Sequence, residues 1–336
     1  MEEDEDELAC IIPDSATDSL AVLHPELPLP DLEGGLLLTS DVEEYPLQIA
    51  GHHFRGTRRH KPNIGVLRDK LSGHVLKPSQ SYPRGDREIA FYKALFPEWE
   101  SAADDDDCEF GRVGALKAFV PHFYSVRAIS VNRTFLSFVE LEDCCAPFTE
   151  PCIMDVKIGF KNYDPNASDE KIKYEMEKYP LGATIGFRIL GMRTVDGLTG
   201  EVAFRDRDWG KALLTEQDVQ MAFCEFFANQ PKDAHVKKVV FGFIKKILAI
   251  IAAMEKYPSF HLISSSLLLL YEGRAATTQP PPPPPVDVRM IDFTHSFQST
   301  TVDDNYVQGA KSLLRFLEQA LRSYQPARLA DVQDAP

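Results

Sequence analysis

An acid and a base stand two residues apart in the otherwise apolar segment PCIMDVKIG, residues 151–159. If this segment is a β-strand, Asp155 and Lys157 project from one face and the intervening apolar side chains from the other, because side chains alternate along a strand. A buried ion pair alone stabilises a fold poorly. A structural pair and a functional pair are therefore both open at this point.

Three further features favour a functional pair. Lys77 lies on a predicted strand and Glu88 on the helix that follows, and a strand lysine held by a helix glutamate positions nucleotide phosphates in protein kinases. Asp292 ends a predicted strand and precedes a phenylalanine, as the magnesium-binding aspartate of those kinases does. Between the two halves of the chain, FVELEDC at 138–144 could offer backbone groups to an adenine ring. The order of these features predicts a nucleotide-binding cleft.

The rest of the protein-kinase signature is missing from the chain. No G-x-G-x-x-G segment precedes Lys77, and neither H-R-D-x-x-x-x-N nor A-P-E occurs. Since these segments belong to enzymes that phosphorylate proteins, we predict an acceptor that is not a protein.

The spacing of apolar residues predicts the elements that position these side chains. Residues 65–80 are expected to form two strands that turn at Gly73, and residues 86–96 an amphipathic helix. Ser168 is the expected N-cap of a helix that Pro180 ends. Further strands and long helices are predicted at 119–143 (two strands joined at Asn132 and Arg133), 151–159, 215–229, 234–257, 260–273 and 288–297. This order predicts two lobes with a cleft between them.

The net charge of −15 belongs mostly to the N-terminal segment. Residues 1–50 contain 14 of the 51 acids and none of the 36 bases, which leaves 37 acids against 36 bases in the remainder. We predict an acidic disordered tail at 1–45, which is either a solvating segment or a partner-binding arm. The folded region is expected at 46–325, with an N-lobe at about 46–142, a C-lobe at about 143–325, and a disordered C-terminus at 326–336.

Six consecutive prolines occur in RAATTQPPPPPPVD, residues 274–287. Proline cannot donate a hydrogen bond to a β-ladder, so this segment is predicted to be an exposed loop between two strands. A simple spacer and a docking site for a proline-recognising domain both fit this composition.

Composition also limits where the protein works. No run of about 18 apolar residues is present, so no transmembrane segment is expected, and the acidic N-terminus argues against a secretory signal. The six cysteines lack the paired C-x-x-C spacing of a zinc site and are expected to be free thiols in a reducing compartment. The basic cluster RGTRRHK, residues 55–61, is either a nuclear-import signal or a surface turn. We expect the protein in the nucleus and cytoplasm.

Three motifs together carry a resemblance to a known family. The pattern P-x-x-x-D-x-K-x-G from Pro151 to Gly159, the run SSLLLLYEG at 265–273 and the tripeptide IDF at 291–293 resemble the inositol polyphosphate kinase family. The resemblance spans about residues 65–320, and its segment 157–193 is most similar to the multikinase branch. It implies an α+β, two-lobed, protein-kinase-like fold with an antiparallel-sheet N-lobe, a larger α/β C-lobe and an ATP cleft between them.

The resemblance implies how ATP is bound. Lys77 would meet the ATP phosphates, and Glu88 would orient it. Glu142 and Cys144 would contact the adenine ring through backbone carbonyl and amide groups. The family often has an aliphatic residue where Cys144 stands, and a backbone contact tolerates that change.

The resemblance also implies a place for the metal and for the transferred group. Asp292 would bind Mg²⁺, helped by Ser265 or Ser266. Lys157 would bridge the transferred phosphoryl group and the acceptor oxygen, where a cation stabilises negative charge. Asp155 would either bind the ribose hydroxyls or act beside the reacting hydroxyl.

The acceptor site must bind several phosphates, so it needs bases on one surface. Lys171 and Lys178 are seven residues apart, two helical turns, and therefore share a helix face. The resemblance places these lysines against the substrate, and a solvated face paired with Glu175 is the alternative. His295, three residues after Asp292, is predicted to bind substrate and to take part in catalysis. The remaining predicted substrate residues are Gln80, Arg84, Lys157 and Arg193.

The family resemblance implies transfer of the γ-phosphate of ATP, with Mg²⁺, to free hydroxyls of soluble inositol phosphates. The multikinase branch implies that inositol trisphosphate becomes tetrakisphosphate and then pentakisphosphate, with phosphatidylinositol bisphosphate as a further acceptor. Two alternatives stay open: a dedicated inositol trisphosphate 3-kinase, and a nuclear interaction scaffold that works through the acidic tail and the proline-rich loop. We expect a monomer that does not bind nucleic acid directly.

Overall fold

The computed structural model describes residues 36–51, 54, 57–58, 61–97, 113–165, 167–228, 233–274 and 285–323. Most of the predicted acidic tail, the basic cluster and the proline-rich loop lies outside these residues, as does the predicted C-terminal segment at 326–336. The interpretations given for those segments stay predictions.

A five-stranded antiparallel sheet and one long helix form the N-lobe. The elements are β1 (Val42–Glu44), β2 (Thr57–Arg58), β3 (Lys61–Pro62), β4 (Leu67–Asp69), β5 (Val75–Pro78), α1 (Arg84–Leu95), β6 (Phe123–Val131) and β7 (Thr134–Leu141). The sheet has the strand order β1-β4-β5-β7-β6, and β2 and β3 form a separate ribbon. A 3₁₀ helix at Lys117–Phe119 precedes β6.

The predicted end of the acidic tail, residue 45, is too late in the chain. Strand β1 lies at 42–44 and pairs with β4. Leu38 forms an isolated bridge to Val131, and Leu36, Leu38 and Val42 pack with the N-lobe core. Burial of this aliphatic surface orders the end of a segment whose charge alone predicted disorder.

Both predicted turns of the N-lobe sheet are confirmed. Gly73 has a positive φ of 76° between β4 and β5, and Asn132 and Arg133 have φ values of 47° and 66° between β6 and β7. Glycine and asparagine tolerate this left-handed conformation best. The resulting register places Lys77 of β5 opposite Val139 of β7.

Helix α1 connects the N-lobe sheet to the C-lobe. Its apolar face is buried, and Phe91 stacks on Phe293 with ring centroids 3.9 Å apart. Phe91 also meets Phe260 edge-on at 4.8 Å. Because Glu88 lies on the same buried face of α1, this aromatic packing also fixes the position of its carboxylate.

A second antiparallel sheet and a set of helices form the larger C-lobe. Its elements are β8 (Pro151–Ile158), α2 (Asp169–Lys178), α3 (Pro180–Ile185), β9 (Phe187–Val195), β10 (Val202–Arg205), α4 (Arg207–Lys211), α5 (Glu216–Ala228), α6 (Asp233–Lys256), β11 (Phe260–Leu262), β12 (Ser266–Glu272), β13 (Val286–Ile291), β14 (Ser296–Gln298) and α7 (Asp304–Ser323). The main sheet has the order β10-β9-β8-β12-β13, and β11 pairs with β14.

Strand β8 carries the central motif as predicted. Cys152, Met154 and Val156 are fully buried and belong to the main hydrophobic core. Asp155 and Lys157 line the cleft between the lobes instead. The predicted alternation of the two faces is therefore confirmed.

Helix α2 begins where the capping signal predicted. Ser168 Oγ accepts the backbone N–H of Lys171 at 3.3 Å. The helix ends at Lys178, and Pro180 begins α3. Proline is well placed at the start of a helix because its missing N–H has no partner to lose there.

Two large elements were not predicted from the sequence. All nine residues of β9 are buried, so the strand lacks the alternation that reveals a half-exposed strand. Helix α7 was also missed, and it contributes Leu313, Phe316 and Leu317 to the core.

The predicted loop at 274–287 ends too late, because β13 begins at Val286. No helix within the described ranges is long and apolar enough to cross a membrane.

The β8 motif ends with glycine at position 159 because a side chain does not fit there. Its φ is +116°, and an added Cβ would lie 2.5 Å from Asn305 Nδ2. Gly200 also has a positive φ, +76°, but open space where its Cβ would lie. We expect Gly159→Ala to lower the free energy of unfolding by about 3 kcal/mol and Gly200→Ala by about 1 kcal/mol. Urea denaturation of both variants checks this, and equal losses would contradict the steric argument.

Candidate active site

A cavity of about 690 Å³ lies between the two lobes. Apolar side chains near the connection between the lobes line one part of it, including Ile49, Val66, Leu141, Cys144, Ile153 and Leu268. Basic side chains line the part beyond Lys157, including Arg84, Lys171, Lys178, Arg188 and Arg207. The cavity therefore has an apolar compartment and a strongly cationic compartment.

The ammonium group of Lys77 bridges two carboxylates from distant parts of the chain. Its Nζ lies 2.6 Å from Glu88 Oε1 on α1 and 2.5 Å from Asp292 Oδ1 just after β13. Burial alone would lower the pKa of Lys77, but the charges of Asp292 and Glu88 raise it above its ordinary value. Lys77 is therefore a fixed cation in the cavity wall.

The backbone conformation at Asp292 explains why an aspartate and a phenylalanine follow each other in the IDF motif. Asp292 has a positive φ of 66°, and the N–H of Phe293 donates to Glu88 Oε1 at 3.1 Å. Phe293 is fully buried, which anchors the turn. A left-handed aspartate costs backbone free energy and is held by its surroundings. Here the turn brings the Asp292 carboxylate to the cavity while its neighbour enters the core.

Asp155 on β8 is a buried carboxyl group close to Asp292. Burial raises its pKa to about 7, with a further rise from the Asp292 charge, while Ser266, Lys157 and Lys77 oppose the shift. Within the described part of the chain, its Oδ1 is buried and accepts no hydrogen bond. A carboxylate pair with an orphaned oxygen favours a cation at this place.

These carboxyl groups fit a Mg²⁺ ion that is held jointly by protein and nucleotide. Among the described residues, no group of three or more His, Cys, Asp or Glu side chains is arranged to hold a metal ion. Mg²⁺ in phosphotransferases usually takes one or two carboxylates, with phosphate oxygens and waters as the other ligands. Asp292 and Asp155 can supply those carboxylates.

The segment that follows β7 connects the lobes and borders the apolar compartment. The Glu142 carboxylate pairs with Arg289 at 3.2 Å and accepts the His122 N–H at 3.0 Å. The Glu142 carboxylate is thus engaged by other parts of the fold. Cys144 is buried and lines the cavity. The predicted adenine contacts through the backbone of Glu142 and Cys144 agree with this arrangement and stay predictions.

Arg84, Arg87 and His295 line one side of the cationic compartment. Arg87 Nη1 lies 3.0 Å and His295 Nδ1 3.8 Å from the same oxygen, Asp164 Oδ2. Burial lowers the pKa of His295 to about 4, helped by the charges of Arg84 and Lys157. The imidazole is therefore neutral near pH 7 and offers a hydrogen bond rather than a positive charge.

Helix α2 forms another side of the cationic compartment. Lys171, Glu175 and Lys178 all line the cavity. Lys171 Nζ lies 3.2 Å from Glu175 Oε1, and Lys178 Nζ lies 3.7 Å from Glu175 Oε2. The pairing with Glu175 is present, but it occurs on a helix face that borders the cavity. The two interpretations of this helix, a face that binds substrate and a face paired with Glu175, are thus compatible.

Most of the predicted site residues meet in this cavity. Glu88 is fully buried behind Lys77. The predicted residues that line the cavity are Lys77, Gln80, Arg84, Glu142, Cys144, Asp155, Lys157, Lys171, Lys178, Asp292 and His295. Their convergence from both lobes is a structural finding, whereas their individual contacts with ligands stay predictions.

Besides Glu88, two parts of the predicted site are not among the residues that line the cavity. Arg193 is buried, donates to the Pro151 carbonyl oxygen and pairs with Glu150. It lies beside the start of β8, where the backbone and Glu150 take up its guanidinium group. Ser265 and Ser266 are fully buried, so the structure does not present them as metal ligands on the cavity surface.

Three arginines of the cationic compartment were missed. Arg87 follows Arg84 by one helical turn on α1, so helical spacing could have revealed it. Arg188 pairs with Lys157 in the register of β9 with β8. Arg207 begins α4. The last two could be found only from the packing of elements that the sequence did not reveal.

The two lobes and the lysine held between a helix glutamate and a strand-end aspartate define a protein-kinase-like fold. A family model described as inositol polyphosphate kinase matches residues 138–318. This match covers more than half of the 336 residues. The chain therefore belongs to the inositol polyphosphate kinase family, which confirms the resemblance carried by the three motifs.

Relatives in several organisms support this membership. The chain is 35% identical over 223 residues to the inositol polyphosphate multikinase of Homo sapiens, covering 66% of this chain and 49% of that protein. The Mus musculus protein of the same name is 34% identical over 245 residues, covering 71% and 54%. Inositol polyphosphate multikinase alpha of Arabidopsis thaliana is 25% identical over 289 residues, covering 82% and 95%. The chain spans about half the length of the two mammalian relatives.

Solved structures share the fold. The inositol phosphate multikinase Ipk2 of S. cerevisiae, in complex with ADP and Mn²⁺, matches with a TM-score of 0.56 and 24% identity, covering 74% of this chain and 99% of that chain. A structure from protein engineering of an inositol phosphate multikinase matches with a TM-score of 0.53 and 21% identity, covering 69% and 98%. These matches confirm the α+β, two-lobed fold.

Asp155→Asn is expected to stabilise the ligand-free protein at neutral pH. The carboxyl pKa is about 7 in the fold against an ordinary 3.8. Well below pH 3.8 the group is protonated in both the folded and the unfolded chain, so the two proteins should be equally stable. As the pH rises to about 7, the unfolded chain releases a proton that the folded one retains, and the unaltered protein loses a few kcal/mol relative to the variant. Thermal melts between pH 4 and 8 check this.

Asp303→Asn is the contrasting control. Burial also raises the pKa of Asp303, but its carboxylate accepts the N–H groups of Leu262 at 2.6 Å and Tyr306 at 3.0 Å. An amide has only one acceptor oxygen, so this variant should be less stable than the unaltered protein. A similar loss for Asp155→Asn at pH 8 would show that Asp155 is a structural ion-pair partner and contradict the prediction.

Proposed function

We propose that the protein transfers the γ-phosphoryl group of ATP, with Mg²⁺, to free hydroxyls of soluble inositol polyphosphates. The observation that carries this proposal is a single cavity in which Lys77, Asp155 and Asp292 stand beside a wall of lysine and arginine side chains. The first group suits a nucleoside triphosphate with its metal ion. The second suits a small acceptor with several phosphates, and membership of the kinase family supports the same conclusion.

Each part of the cavity has a separate task in this reaction. Lys77, fixed between Glu88 and Asp292, binds phosphate oxygens of ATP. Asp292 would hold Mg²⁺, which would supply positive charge to the phosphates of the nucleotide. Lys157, two positions after Asp155 on β8, stabilises negative charge on the oxygens of the transferred group.

Asp155 has three candidate roles in the proposed reaction. A carboxyl group with a pKa of about 7 can accept the proton of an acceptor hydroxyl near neutral pH. Alternatively, its carboxylate binds the ribose hydroxyls or the metal ion. Transfer through a loose transition state needs little help from a base. His295, neutral near pH 7, orients the acceptor by hydrogen bonding in either case.

The proposed acceptors are inositol tris- and tetrakisphosphate, with pentakisphosphate as the final product. The support for successive transfers is the name multikinase of the human and mouse relatives. A dedicated inositol trisphosphate 3-kinase is the nearest alternative, and phosphatidylinositol bisphosphate is a further proposed acceptor. The nuclear and cytoplasmic location, the monomeric state and a scaffold role of the tail stay predictions.

The deciding experiment follows products over time. Purified protein is incubated with Mg-ATP and inositol 1,4,5-trisphosphate, and products are resolved by ion-exchange chromatography. Tetrakisphosphate followed by pentakisphosphate would support the proposal, and a single tetrakisphosphate product would favour the dedicated 3-kinase. No product from folded, ATP-binding protein would overturn the proposal and favour the scaffold. Phosphatidylinositol bisphosphate in micelles tests the lipid acceptor in the same assay.

Lys157→Met is expected to lower kcat by roughly 100- to 1000-fold, because a preorganised cation on the transferred group is lost. ATP affinity should change little. Lys173→Met is the matched control, since Lys173 pairs with Glu177 on the solvent side of α2 and has 76% of its side chain exposed. It should keep the unaltered kcat. Steady-state kinetics of both variants decides, and near-normal turnover of Lys157→Met would remove this lysine from the proposed machinery.

A further inference from the structure

Two carboxylates, those of Asp164 and Glu175, stand among the basic side chains at the acceptor end of the cavity. Glu175 lines the cavity together with Lys171 and Lys178, and only 17% of its side chain is exposed. Its two oxygens meet different lysines, at 3.2 Å and 3.7 Å. A negative charge here opposes the binding of any polyanion, so its position calls for an explanation.

Helix stability does not supply that explanation. Glu177 and Lys173 form an ordinary surface pair on the same helix, 3.9 Å apart and with 67% and 76% of their side chains exposed. Such pairs at i,i+4 spacing contribute little to a helix. Glu175 and Lys171 have the same spacing, yet they border the cavity.

Positioning of the lysines is not the sole task of Glu175 either. Both ammonium groups also lie over the ring of Tyr174, Lys171 at 5.2 Å and Lys178 at 5.6 Å from its centroid. Cation–π contacts of this kind restrain a lysine on their own. The two lysines therefore have a second restraint that would survive the loss of the Glu175 charge.

We propose that Glu175 is a specificity-determining residue, which accepts a hydrogen bond from a free hydroxyl of the acceptor ring and excludes acceptors with a phosphate at that position. This inference rests on the proposed function. A hydroxyl can donate to a carboxylate, whereas a phosphate would bring like charge against it, and such contacts select against the wrong partner. Lys171 and Lys178 bind the phosphates on either side of that hydroxyl.

Glu175→Gln tests this inference because it removes the charge and keeps the length and one acceptor oxygen. The measurement is kcat/KM for acceptors that carry three, four and five phosphates. The ratio of kcat/KM for a more phosphorylated acceptor to that for a less phosphorylated one should rise about tenfold, mostly through KM. Glu177→Gln makes the same charge change on the same helix outside the cavity lining, and its ratio should equal that of the unaltered protein.

Three results would overturn the inference. An unchanged ratio in Glu175→Gln would show that the charge does not discriminate among acceptors. An equal loss of kcat/KM for all acceptors would show that Glu175 only positions the two lysines. An equal rise in ratio for Glu175→Gln and Glu177→Gln would show a general effect of net charge.

Direct binding separates this inference from the proposed function. If the unaltered protein phosphorylates no inositol phosphate, the proposed function fails. The same variants are then titrated calorimetrically with inositol trisphosphate and inositol hexakisphosphate. The affinity ratio should shift towards hexakisphosphate in Glu175→Gln alone, and a constant ratio would overturn the role of Glu175 without reference to catalysis.

Discussion

An ammonium group held between two carboxylates joins three separate parts of the chain. Lys77 comes from β5, Glu88 from α1 and Asp292 from the end of β13. Glu88 is completely buried, so loss of its cationic partner would leave a charge uncompensated in the interior, at a cost of roughly 3–5 kcal/mol. These contacts both join the two lobes and position the charged groups of the cleft. A substitution at Lys77, Glu88 or Asp292 would therefore change stability and chemistry together.

Acidic and basic side chains stand beside one another along the cleft. In the compartment beside Lys77, carboxylates outnumber the cations and favour a metal ion. In the cationic compartment, Glu175 stands between two lysines and reduces the repulsion between these cations, and Asp164 pairs with Arg87 beside the neutral His295. A polyanionic ligand would have to replace these ion pairs with its own. This lowers its affinity but lets the cleft discriminate among ligands.

Elements with a regular spacing of polar and apolar residues could be predicted from the sequence, and β9, which lacks that spacing, could not. β8 and α1 show their period because Asp155, Lys157 and the polar face of α1 interrupt the apolar residues. β9 has no exposed face, so its register and the position of Arg188 stayed hidden. Without that register, Arg193 was expected in the site. Individual distances, such as those around Glu175, depend on tertiary packing and lie beyond any spacing rule.

The contacts of α1 also restrict how the proposed activity can be regulated. Protein kinases are controlled in part by the position of the helix that carries the lysine-binding glutamate. Here Glu88 accepts the Phe293 N–H, and Phe91 stacks on the Phe293 ring, so α1 is fastened to the C-lobe. An outward swing would break a buried hydrogen bond and expose two aromatic rings. Movement of α1 away from the C-lobe would therefore cost the free energy of these buried contacts together with that of the Lys77–Glu88 pair.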